Sequence, residues 1–98
     1  MSNGDIGFLE TLEAVIEQRL QSGDTDSYTA SLAASGDRRV AQKVGEEGVE
    51  VALASVSGNN AELLGEAADL LYHLLVLLNT KGLKLADVVS TLEDRHTG

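Results

Sequence analysis

Ninety-eight residues carry 16 acids against 7 bases, a formal charge of −9, with no cysteine and no proline. A chain of this length supports one domain with a modest core, so oligomerisation is a natural way to gain buried area. The charge disfavours nucleic acid and anionic membranes as partners, and the lack of cysteine excludes a disulfide framework or a thiolate metal site, which suits a reducing cytosol. Asp5 and Glu10 interrupt any apolar run near Met1, so no signal peptide is expected. The longest uncharged apolar run, residues 70–78, contains His73 and is too short to span a bilayer.

Residues 1–4 read as a loose end. Residues 5–21 are predicted helical, because Phe8, Leu12 and Val15, with Leu9, Ile16 and Leu20, recur at helical spacing while Glu10, Glu13 and Glu17 fall mostly on the other side. Ser22, Gly23 and Asp24 form the expected stop. Ser27 is placed to cap a short second helix over residues 28–34, closed by Gly36. Packing is the role expected of this hairpin.

Asp37 is the expected cap of a third helix, residues 38–56. Val40, Val44, Gly48, Val51 and Ala52 line one side, and Lys43, Glu46, Glu47 and Glu50 occupy roughly 100° of the other. Gly45 and Gly48 each cost about 1 kcal/mol against alanine in a helix interior, which suggests a tight crossing with a neighbouring helix. A turn at Gly58, Asn59 and Asn60 leads into a fourth helix, residues 61–80, with Asn59 or Asn60 as cap and Gly82 as stop. Glu62, Glu66, Asp69 and His73 share a stripe within about 60° of arc. Leucines and alanines cover most of the remaining circumference, a pattern of a helix surrounded by others, and one small chain can hardly enclose it, so a subunit interface is expected, with Tyr72 packing there. A last helix over residues 85–94 uses Leu85, Val88, Val89 and Leu92, and residues 96–98 read as frayed. No stretch alternates with a period of two, so the class is all-α.

The five acids Glu46, Glu47, Glu50, Glu66 and Asp69 fall into two packets on consecutive helices, and a hairpin would aim both into one cleft. An EExxE run also occurs as a solvated helix face. Against that, the like charges repel with only Lys43 nearby to offset them, and the second packet sits in the most apolar helix, where a bare carboxylate is expensive to desolvate. A divalent cation relieves both costs. An all-oxygen donor set favours Mg²⁺ or Mn²⁺. A di-iron bundle would want Glu-x-x-His on two helices, whereas Glu66 is followed by Asp69 and His73 stands four residues beyond that. His73 reads as a hydrogen-bonded neighbour of a ligand rather than a ligand itself.

Three stretches, SYTASL from Ser27, KVGEEGVEV from Lys43 and GEAADLLYHLLVLL from Gly65, resemble the phosphoribosyl-ATP pyrophosphohydrolases, the second enzyme of histidine biosynthesis and a branch of the all-α MazG-like nucleotide pyrophosphohydrolases. The resemblance spans residues 8–95. It implies a MazG-like helical bundle completed by homo-oligomerisation, as a homodimer or a dimer of dimers, in a cytoplasmic enzyme forming one domain over residues 1–98. It implies hydrolysis of phosphoribosyl-ATP to phosphoribosyl-AMP and pyrophosphate, with Mg²⁺ held by Glu47, Glu50, Glu66 and Asp69. Glu46 would join that shell or orient the attacking water. No cyclohydrolase domain is fused in these residues, which suggests a monofunctional chain. Glu46 lies at the edge of the acid face, which suits a proton acceptor. Lys43, Arg38 and Arg39 are candidates to hold substrate phosphates. A house-cleaning nucleoside triphosphate pyrophosphohydrolase and a non-catalytic helical dimerisation module are the rival readings.

Overall fold

The structure, a computed structural model, describes residues 4–23 and 27–97. Most of the expected loose start, Asp24 of the expected helix stop and Gly98 lie outside the described residues. Five helices and no strand are present among those described: α1 Phe8–Ser22, α2 Tyr28–Ala34, α3 Asp37–Ser57, α4 Asn60–Thr80 and α5 Leu85–His96. The protein is an all-α bundle.

The helix ends follow local chemistry. α1 begins three residues later than its hydrophobic period suggests, because Asp5 is used in a turn. Its carboxylate accepts from the Gly7 N–H at 2.9 Å and its carbonyl from the Phe8 N–H at 2.9 Å. Gly23 closes α1 at φ 65°, a left-handed position that costs glycine nothing. Ser27 caps α2 as expected, accepting from the Ala30 N–H. Asp37 is not the cap of α3. Gly36, at φ 105°, turns the chain into the helix, and the Asp37 carboxylate instead accepts from Lys81 Nζ at 2.7 Å, tying the start of α3 to the end of α4. α4 is capped by Asn59, whose side chain accepts from the Glu62 N–H at 2.9 Å. Asn59→Ala should therefore lower stability by about 1 kcal/mol in a urea titration. α5 runs two residues past its expected end, and the Asp87 carboxylate satisfies the Lys84 N–H at its start.

α3 and α4 form an antiparallel hairpin about the turn at Gly58 and Asn59. α1 and α2 pack across one end of it. Ile16, Leu32, Val40, Leu75 and Val76 make the buried core, with Leu9, Leu12, Leu20, Tyr72, Leu77 and Leu85 packed against it. The core thus joins α1, α2, the start of α3 and the end of α4. The far half of the hairpin extends beyond this core, leaving Leu53, Val56 and Leu64 exposed. α5 buries no residue. It is anchored at its start, where the Leu85 N–H donates to Glu13 Oε2 at 2.6 Å.

Two expectations are corrected. A methyl carbon built at Gly45, Gly48 or Gly65 would meet no atom of the described residues within 4 Å apart from its own helix backbone and chain neighbours, so no other described helix of this chain crosses tightly there. Tyr72 packs inside the chain, because its hydroxyl shares a hydrogen bond with Thr29 of α2.

Candidate metal-binding carboxylate site

In an antiparallel hairpin, residues equidistant from the turn face each other. Glu50 and Glu66 stand eight residues either side of Gly58, and Glu47 and Asp69 stand eleven. The two acid packets therefore meet across the hairpin. Carboxylate oxygens of Glu47, Glu66 and Asp69 all lie within 4.8 Å of one another, a group of donors that could hold a metal ion. Glu47 is buried, Glu66 half-buried and Asp69 exposed, so the group opens from the packed end of the hairpin toward solvent. Glu50, Glu62, Glu66 and Asp69, with Leu53 and Gly65, line the adjoining cleft of about 490 Å³.

The remaining candidates flank this group. Lys43 Nζ lies 3.3 Å from Glu47 Oε1 one turn back on α3, so it borders the carboxylates as expected. Glu46 is exposed on the outer flank and pairs with Arg39 at 3.6 Å, outside the converging three. Arg38 is exposed near the start of α3. His73 is buried and does not join the carboxylates, since both ring nitrogens are used elsewhere. Nδ1 lies 2.8 Å from the Asp69 carbonyl and Nε2 lies 2.7 Å from the Tyr28 hydroxyl. It is a bonded neighbour of Asp69's turn.

The family described as phosphoribosyl-ATP pyrophosphohydrolase matches residues 9–96. The chain belongs to that family. It is 57% identical over 89 residues to the histidine biosynthesis bifunctional protein HisIE of Photobacterium profundum, covering 91% of this chain and 43% of that protein. It is 58% identical to the HisIE protein of Xanthomonas campestris pv. campestris and 56% identical to that of Vibrio vulnificus (strain CMCP6), again over 91% of this chain, with 43% and 42% of those proteins covered. The chain spans less than half the length of these curated relatives. Both acid packets of this phosphoribosyl-ATP pyrophosphohydrolase family member fall inside the matched residues.

The electrostatics explain what such a group is suited to hold. The Glu66 carboxyl is pushed above the usual glutamate range, first by partial burial and then by the charges of Glu50, Asp69, Glu47 and Glu62. The Lys43 ammonium is held above its ordinary value, chiefly by its hydrogen bond to Glu47. One ammonium against five neighbouring carboxylates leaves the cleft short of positive charge. A hard divalent cation supplies that charge and takes oxygen donors, which fits the donor set present.

A pH effect follows for the metal-free protein. An acid whose folded-state pKa is raised favours the fold while it is protonated, and that contribution is lost as pH rises from the ordinary value through the raised one. Glu66→Gln should therefore be more stable than the parent at pH 7.5 in chelator, with the gap closing as pH falls toward 4. Urea titrations across that range check this, and a gap independent of pH would contradict it.

Two participants escaped sequence reasoning. Glu62 belongs to the stripe read from α4, yet only the open cleft makes it a lining residue. Tyr28 gives no local signal, because its partner His73 is 45 residues away.

Proposed function

We propose that this chain hydrolyses phosphoribosyl-ATP to phosphoribosyl-AMP and pyrophosphate, the second step of histidine biosynthesis, as a cytoplasmic enzyme whose single domain covers residues 1–98. The observation that carries this reading is the meeting of Glu47, Glu66 and Asp69 across the α3–α4 hairpin of a chain in this family. Glu47, Glu50, Glu66 and Asp69 would hold Mg²⁺, with Mn²⁺ an acceptable substitute. Bound there, the ion would lower the pKa of a coordinated water and draw charge from the leaving pyrophosphate.

The chain's own residues supply the rest. Glu46, exposed beside Glu47, is our candidate to accept the proton as water oxygen bonds to phosphorus and the bridging P–O bond of the α,β-anhydride breaks. Its exposed pairing with Arg39 is weak and exchanges readily. Lys43, already at the edge of the carboxylates, would hold a substrate phosphate oxygen. Arg38 and Arg39, at the start of the same helix, would extend that positive end toward the phosphoribosyl phosphate.

We also read the working form as a homodimer or a dimer of dimers. Val56, Leu64, Phe8, Val49 and Leu53 are exposed by 87, 71, 60, 58 and 57% in the single chain. The chain exposes 6915 Å², whereas a compact chain of its size exposes about 5,400 Å². Its radius of gyration is 14.6 Å, against about 13 Å for a compact domain of 100 residues. The surplus is of the size that a stable subunit interface covers. A second copy laid along the open half of the hairpin would cover it.

A pyrophosphate-release assay with phosphoribosyl-ATP tests the activity. Release should require added Mg²⁺ and stop in chelator. Turnover of dUTP or dCTP with none of phosphoribosyl-ATP would overturn the substrate. Mg²⁺ at a hundredfold excess over its Kd should also raise the melting temperature by about 10 °C. A solvated acid face on a non-catalytic module would not respond.

A further inference from the structure

The chain has three aromatic residues, Phe8, Tyr28 and Tyr72. Tyr72 packs against the core and bonds to Thr29. Phe8 lies on α1, the helix that Glu13 ties to the start of α5. Tyr28 opens α2, is 53% exposed, and is joined to the turn of α4 that carries Asp69. With the His73 ring neutral, its Nδ1–H donates to the Asp69 carbonyl at 2.8 Å, because a carbonyl can only accept. Nε2 then accepts from the Tyr28 hydroxyl at 2.7 Å. One imidazole ring therefore stands between the phenol and the backbone of Asp69, a member of the carboxylate group. The bond also leaves the phenol faces free. A phenolic oxygen lies in the plane of its ring, so His73 meets Tyr28 at the rim, with the two rings 86° apart and their centroids separated by 5.8 Å. His73 covers neither face of the phenol.

The hairpin fixes the level of Tyr28 in the site. Lys43 and His73 each stand fifteen residues from Gly58, one helical turn beyond the facing pair Glu47 and Asp69. From Glu47 back to Arg39 is eight residues, about 12 Å of helix axis, with Lys43 half-way. Phosphoribosyl-ATP has a matching order, since its adenine lies between the triphosphate and the phosphoribosyl phosphate. A triphosphate held at Glu47 and Asp69 through a cation, and a far phosphate held at Arg38 and Arg39, put the base at the level of Lys43 and His73. The Tyr28 ring is bonded to His73 at that level.

We propose that Tyr28 is the platform on which the adenine of phosphoribosyl-ATP stacks, its ring held in place by the hydroxyl bond to His73. This rests on the reading of the chain as a phosphoribosyl-ATP hydrolase and adds the group that takes the base. A ring already fixed by its hydroxyl loses little freedom when a base settles on it. Stacking rewards any flat base, so Tyr28 separates nucleotides from bare polyphosphates rather than one purine from another.

The test uses the full chain under saturating Mg²⁺, with phosphoribosyl-ATP as substrate and the two products as inhibitors. Tyr28→Leu removes the flat ring. It should raise KM about tenfold, the size expected of one base–aromatic stack, and hold kcat within about twofold. Tyr28→Phe keeps the ring without the hydroxyl and should recover most of that loss. In Tyr28→Leu, inhibition by phosphoribosyl-AMP should weaken about tenfold, whereas inhibition by pyrophosphate, which has no base, should match the parent. If Tyr28→Leu does not fold, Tyr28→Gln removes the ring with a polar side chain and is read the same way. A parental KM in the ring-less variant overturns the proposal. So does a Tyr28→Phe as impaired as Tyr28→Leu, which would assign the effect to the hydroxyl. Equal weakening of both products also overturns it, because a distorted carboxylate group would then be the cause. A parent that releases no pyrophosphate from phosphoribosyl-ATP defeats the reading of function, and this proposal with it. An active parent with an insensitive Tyr28→Leu defeats this proposal alone.

Discussion

Glu47→Gln is expected to slow pyrophosphate release from phosphoribosyl-ATP by roughly 10²- to 10³-fold, an effect of the size seen when a group stabilising developing charge is removed. The substitution preserves shape and removes one negative charge. Glu47 is the most buried of the three carboxylates that meet across the hairpin, so its loss is the hardest for water or a neighbouring acid to replace. It also strips Lys43 of its partner at 3.3 Å. The helices should persist, because Glu47 caps nothing and no backbone group depends on it, so far-UV circular dichroism should match the parent. The Mg²⁺-induced rise in melting temperature should be lost along with activity. Glu46→Gln separates two roles: a proton acceptor outside the ligand set would lose rate yet retain the Mg²⁺ response. A Glu47→Gln rate within tenfold of the parent would remove Glu47 from the proposed ligand set.

Leu64→Asp should convert the proposed homodimer to monomers of 10.3 kDa. Leu64 is 71% exposed on the half of α4 that reaches beyond the core, close to the turn that also carries Val56, itself 87% exposed. In a dimer that covers this half of the hairpin, the substitution forfeits about 2 kcal/mol of apolar burial per copy and adds the cost of desolvating a carboxylate. Symmetry doubles both terms, since an isologous interface places each substitution twice. Within a single chain the same residue supports nothing, so dissociation and unfolding are distinguishable. Leu74 is a poorer choice, because it is partly covered inside its own chain. Sedimentation equilibrium decides the matter, and an unchanged mass would end the case for an interface on this face.

The site was legible in outline because its information is periodic. Acids at three- and four-residue spacing had to share a helix face, and a single turn between two packets had to bring them together. Gly58 is the reason the match is close: both packets lie at equal distances from it. The faces of α3 were less legible. Its hydrophobic stripe and its acid stripe both lie partly against α4, so Glu47 is buried while Ala52 is exposed. Periodicity gives the angle between two stripes but not where a neighbour's axis falls between them. The starts of α1 and α3 shifted for a similar reason. The carboxylates of Asp5 and Asp37 were claimed by the Gly7 N–H and by Lys81, and nothing in the hydrophobic period reports such a bond.

By itself the amino-acid sequence determined the helical class, the cap at Ser27, a cap at Asn59 or Asn60, the charge imbalance of the third and fourth helices and the likeness to a family of pyrophosphohydrolases. These depend on neighbours within a few residues, or on spelling. Only the tertiary structure decided that Glu46 stands apart from the other acids, that His73 is spent on Tyr28 and the Asp69 carbonyl, and that half of the α3–α4 hairpin is left open. Those facts depend on contacts between residues up to 45 positions apart. Local propensity carries no record of such contacts, because they form only when helix axes settle at a particular offset and rotation.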